Sequence, residues 1–117
     1  MMSKEIHSAA EFEKEITNHK GYALVDFWAT WCQPCRMMAP VLESAEKQLG
    51  SQINFAKVDV DEQQQLAAEF DIMSIPTLVG FKDSKPVKRM SGYRPLDAFV
   101  EAVSYTHLRA HETKANL

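Results

Sequence analysis

The apolar run Tyr22-Ala23-Leu24-Val25-Asp26-Phe27-Trp28-Ala29 leads into Trp31-Cys32-Gln33-Pro34-Cys35, and Met37 to Leu49 then reads as a helix. An apolar strand feeding directly into a helix belongs in a sheet covered on both faces. The only two cysteines of the chain lie at this junction, at Cys-x-x-Cys spacing. Two thiols on the first turn of a helix can close a small disulfide ring. The unpaired N–H groups and positive dipole end of that turn favour the thiolate. Plainer alternatives are two buried structural thiols or half of a zinc site. Zinc takes four ligands, and the body of the chain holds no second Cys-x-x-Cys or Cys/His pair, so no metal is expected.

The remaining chain alternates between helical and strand periods. Ala9 to Asn18 places Ala9, Phe12 and Ile16 on one face among acidic residues, with Ser8 as N-cap and Glu11 completing a capping box. Pro40 should kink the helix that follows the cysteines, and Gly50 should cap it. Ile53 to Val60 reads as a second strand, and Gln63 to Phe70 as a short helix with Asp61 as N-cap. A third strand spans Ile75 to Phe81 with Pro76 near its start; the turn Lys82-Asp83-Ser84-Lys85 leads to a fourth, Pro86 to Ser91. Gly92 breaks it, and a last helix starts at Leu96 behind Pro95. The fold class is α/β, a central mixed β-sheet flanked by helices on both faces.

A chain of 117 residues fits one domain. Its net charge of -3 supplies neither a basic patch for nucleic acid nor a polybasic membrane anchor. The N-terminus is polar where an export signal needs an apolar run, and no stretch has the length of a membrane span. A cytoplasmic setting is therefore expected, where a cysteine pair is more often catalytic than structural.

Asp26-Phe27-Trp28-Ala29-Thr30-Trp31-Cys32-Gln33-Pro34-Cys35 with Pro40, then Lys57-Val58-Asp59-Val60-Asp61, Ile75-Pro76-Thr77-Leu78 and Gly92 together resemble the thioredoxin family. The resemblance covers about residues 5 to 102 and implies the thioredoxin fold. It also implies a protein-disulfide reductase that needs no cofactor, acts as a monomer on client proteins, and is recharged by a thioredoxin-reductase-type electron donor. Cys32, nearer the helix end and more exposed, is expected to be the nucleophile and Cys35 the resolving thiol. Asp26, the lone carboxylate in its apolar run, is the candidate base, because burial raises a carboxyl pKa towards neutrality; the alternative is a solvated Asp at a strand end. By resemblance, Lys57 approaches Asp26 and tunes it; otherwise it is a surface lysine. The resemblance further implies that Trp31, Gln33, Pro34, Ile75, Pro76 and Gly92, with Tyr93, meet the substrate and that Pro76 follows a cis bond. Pro76 withholds an N–H, which frees the Ile75 backbone for strand addition; the alternative for Trp31 is a plain core or rim aromatic. Trp28 and Pro40 are structural expectations.

The chain departs from the family at Gln33, where glycine is usual, and in a hairpin turn without glycine. Beyond Ala102, Val103-Ser104-Tyr105-Thr106-His107-Leu108-Arg109-Ala110-His111-Glu112-Thr113 looks like one frame of a transposon-type sequencing adapter. The expected division is thus a thioredoxin domain at 1–102 and a non-native extension at 103–117 continuing the last helix. His107 and His111 lack further ligands for a metal. A redox-inactive binding module would lose a cysteine, and an oxidant or isomerase of this fold would be exported; neither fits this sequence as well as a reductase.

Overall fold

A computed structural model describes residues 4–104. In chain order these form β1 (Lys4–Ile6), α1 (Ala9–Phe12) with a π-helical continuation (Glu13–Thr17), β2 (Tyr22–Trp28), α2 (Gln33–Leu49), β3 (Ile53–Asp59), α3 (Gln64–Glu69), β4 (Thr77–Lys82) and β5 (Lys85–Ser91). A last helix, α4, occupies residues 96–104. The sheet order is β1-β3-β2-β4-β5. β1 and β2 run parallel to β3, while β4 is antiparallel to β2 and β5 to β4. The β2–α2–β3 crossover produces the parallel pair.

β2 is buried on both faces, as its apolar sequence requires. Ala23, Val25 and Phe27 join Phe12, Ile16, Val58 and Phe81 on one side. Leu24 joins Met38, Leu42, Phe55, Leu78 and Phe99 on the other, beneath α2 and α4. Alternation then places Asp26 on the α2 side of the sheet.

Several boundaries differ from the sequence expectation. The first helix is not uniform: the Asn18 N–H reaches the Glu13 carbonyl at 2.7 Å, five residues back. Side chains of Asn54 and Ser84 donate to the Glu15 and Thr17 carbonyls, tertiary bonds that periodicity does not register. Ser8 caps α1 through the Glu11 N–H at 3.1 Å, but Glu11 answers to the His7 N–H rather than that of Ser8. Asp61 does not cap α3. Its carboxylate is taken by the Trp31 indole, and Gln63 occupies the cap with its side-chain amide donated to the His7 carbonyl instead of bonding the helix end. α2 starts at Gln33 rather than Met37 and holds Pro40 within it, an exposed residue that withholds the N–H otherwise bound for the Arg36 carbonyl. Gly50 does cap α2, yet with φ -64°, so left-handed freedom is not its use; a Cβ there would stand 2.5 Å from the Glu46 carbonyl oxygen.

The β4–β5 turn carries Asp83 and Ser84 at φ 48° and 75°, positions where glycine is the easy choice. Their side chains supply what glycine would not. Asp83 Oδ1 accepts from Gly21 N at 2.8 Å, and Ser84 Oγ donates to the Thr17 carbonyl. β4 starts at Thr77 instead of Ile75, which leaves Ile75 and Pro76 outside the ladder.

Candidate active site

β2 ends below the start of α2, and the turn between them positions both sulfurs. Cys32 is the N-cap of α2, with an extended backbone (φ -90°, ψ 111°). Its Sγ accepts the Cys35 backbone N–H at 3.2 Å, so sulfur fills the place where Ser or Asp oxygen commonly sits. Pro34, at the start of the helix, has no N–H to offer. A negative sulfur at Cys32 is therefore stabilised by a directed hydrogen bond and by the helix dipole. Cys32 and Cys35 are joined in a disulfide with Cα atoms 5.3 Å apart.

The two cysteines are each 4% exposed. The expectation that Cys32 is the more accessible is corrected: as an N-cap it packs with Ala29, Trp28, Val60 and Ile75, in the same small cluster as Cys35. What separates the thiols is the hydrogen bond to Cys32.

Ile75 and Pro76 face this pair. Their peptide bond is cis, and the Ile75 carbonyl oxygen lies 3.7 Å from Cys32 Sγ. The Thr77 hydroxyl donates to the Ser74 carbonyl at 2.6 Å, and the Gly92 N–H donates to the Pro76 carbonyl at 2.8 Å. Gly92 adopts φ 85°, the left-handed region that favours glycine, so the β5 end can turn against Pro76. Trp31 is 65% exposed, its indole N–H donating to Asp61 Oδ2 at 2.8 Å. Gln33 and Pro34 are exposed beside it, and the Arg36 guanidinium donates to the Thr30 carbonyl at 3.0 Å.

Asp26 is 2% exposed, and its Oδ1 has no hydrogen-bond partner among the described residues. Burial drives its pKa from 3.8 up to about 7; Lys57 opposes the rise and Glu5 adds to it. Lys57 is the register partner of Asp26 on β3, and its Nζ stands 4.5 Å from the centroid of the Trp28 ring. Trp28 is half-buried and donates its indole N–H to Glu5 Oε2 at 3.2 Å.

Sequence reasoning missed three features here. Met73 is 92% exposed two residues before Ile75, and Met37 is 48% exposed two residues after Cys35; their closeness in sequence to the motifs was the available signal. Glu5 carried no such signal, because only strand pairing brings it to the site. Among the described residues no group of three or more His, Cys, Asp or Glu is placed to hold a metal ion. His107 and His111 lie outside the described residues.

The thioredoxin family's sequence profile matches residues 3–105. The chain belongs to the thioredoxin family. It is 46% identical over 103 residues to a thioredoxin of Listeria monocytogenes, a match spanning 88% of this chain and 97% of the relative. A thioredoxin of Staphylococcus saprophyticus is 49% identical over 83 residues, covering 71% of this chain and 80% of the relative. The X-ray structure of Fasciola hepatica thioredoxin superimposes with TM-score 0.79 at 38% identity, over 88% of this chain and 98% of that one. The crystal structure of Malassezia sympodialis thioredoxin gives TM-score 0.79 at 35% identity, over 89% and 90%. The thioredoxin fold and the redox-active cysteine pair make this chain an oxidoreductase of protein disulfides, working by dithiol/disulfide exchange. Among the described residues no helix is long and apolar enough to cross a membrane.

Proposed function

We propose that Cys32 is the attacking thiolate, Cys35 the resolving thiol, Asp26 the base for Cys35 and Lys57 the residue that tunes that base. The observation that carries this reading is the Cys35 N–H donated to Cys32 Sγ at the N-cap. In the reduced state this bond favours charge on Cys32, not on Cys35. Cys32 thiolate attacks one sulfur of a client disulfide; the Cys32–client bond forms and the other client sulfur leaves as a thiolate. The Asp26 carboxylate then takes the Cys35 proton, and the Cys35 thiolate attacks Cys32 Sγ. The Cys32–Cys35 bond forms, the Cys32–client bond breaks, and two electrons have passed to the client.

Clients dock across Trp31, Gln33, Pro34, Ile75, Pro76 and Gly92, the extended segment pairing with the Ile75 backbone that β4 leaves free. The electron donor that regenerates the dithiol is of the thioredoxin-reductase type, and the protein works as a monomer in the cytoplasm. The functional domain is residues 1–102, with 103–117 an appended extension; supporting this is the adapter-like sequence of that segment.

Insulin-disulfide reduction with a reducing partner tests the thiol roles. Cys32→Ser abolishes turnover, and Cys35→Ser accumulates a client mixed disulfide through Cys32. Steady-state turnover surviving in Cys35→Ser would overturn the two-thiol assignment.

A further inference from the structure

A row of charge crosses the sheet on the face that α2 covers. Glu5 of β1 is the register partner of Lys57 on β3, and Lys57 that of Asp26 on β2. The row continues into apolar Leu78 and Met90. Register partners share a face, so the three charged side chains lie side by side. Trp28 touches two of them: it donates to Glu5 Oε2 at 3.2 Å, and Lys57 Nζ sits 4.5 Å from its ring centroid. Glu5 is half-buried, and burial raises its carboxyl against the opposing pull of Trp28 and Lys57.

We propose that Glu5 is a positioning residue for the exchange reaction: by sharing Lys57 with Asp26 across the β1–β3–β2 register, it sets the pH at which Asp26 accepts the Cys35 proton. The proposal rests on Asp26 being the base. Glu5 cancels part of the Lys57 field that would stabilise the Asp26 carboxylate, and its own charge repels that carboxylate. Both effects hold the proton on Asp26 to higher pH. Among the described residues, the other ionisable groups around this row are Asp59 on β3, His7 after β1 and the cysteine pair at the start of α2. The buried residues that α2, β4, β5 and α4 turn to this face are uncharged, among them Met38, Leu78, Met90 and Phe99.

Glu5→Gln removes the charge and keeps a side-chain oxygen for the Trp28 indole. Two strand spacings separate Glu5 from Asp26, so the Asp26 inflection should fall by on the order of half a pH unit. The experiment follows the Asp26 carboxyl carbon by NMR titration in the oxidised full-length chain. In parallel, the rate at which the reduced chain resolves a client mixed disulfide is measured against pH. Both inflections should move to lower pH in Glu5→Gln, while Glu5→Asp, which keeps the charge, should stay near wild type. An unmoved Asp26 titration in Glu5→Gln overturns the coupling. Equal shifts in Glu5→Gln and Glu5→Asp also overturn it, reducing Glu5 to support for Trp28. A shifted titration with an unshifted resolution profile removes Asp26 as the base, and the proposal falls with it.

Discussion

Replacing Asp26 by Asn should change stability in a way that depends on pH with a defined sign. The folded carboxyl titrates near about 7, because burial penalises its charged form, against 3.8 for the free group. Below 3.8 the group is protonated in both folded and unfolded chains and costs nothing. Between 3.8 and about 7 the unfolded chain releases the proton while the folded chain keeps it, so stability falls as pH rises. Above about 7 both are ionised and the loss is complete. That interval is roughly three pH units at about 1.4 kcal/mol each, or about 4 kcal/mol in all. Asparagine has no such titration. Its buried amide carries a fixed cost, so the quantity to read is the variant-minus-wild-type difference. Urea unfolding of the oxidised proteins at about pH 4, 5.5 and 8.5 measures it, spanning the interval over which the linkage acts. At a slope of about 2 kcal/mol per molar, the midpoint difference should drift by roughly 2 M in favour of the Asp26→Asn variant towards high pH. A difference that stays constant across this range would show that the carboxylate is hydrated in the fold, and the burial argument for a proton acceptor would go with it.

Phe99→Ala removes a fully buried ring between α4 and the sheet and should cost about 3–5 kcal/mol by denaturant titration. A cost under about 1 kcal/mol would mean that α4 does not close this core. Truncation after Leu108 should leave insulin-disulfide reduction unchanged and move the melting temperature only slightly; a large loss of either would make the terminal segment an integral part of the protein.

The strand–helix alternation, the buried β2 and the cysteine junction were legible because each rests on neighbours in sequence. Apolar residues at a fixed period and a thiol at a helix start are local facts. The errors arise where distant groups compete for a local partner. Asp61 has the chemistry of an N-cap, but the Trp31 indole, thirty residues away, claims its carboxylate. The first helix has a regular pattern, yet side chains from β3 and the hairpin turn bind its last carbonyls. Equal burial of Cys32 and Cys35 depends on how Ile75 and Val60 close over the turn, which spacing does not encode. The placement of Asp26 followed from one charge in an apolar run. Glu5 required the β1–β3 register, a long-range pairing with no sequence signature.

β2 is hydrogen-bonded along its length to β3 on one side and to β4 from Tyr22 to Phe27 on the other. Its amide protons should therefore be among the last to exchange with deuterated solvent, whereas the three-residue edge strand β1 exchanges early. Asp26 lies inside that slow segment, and Cys32 follows a few residues beyond its end. Ile75, Pro76 and Gly92 lie outside it, in the connections before β4 and after β5. The strand that carries Asp26 should thus keep its register while the short edge strand opens and closes.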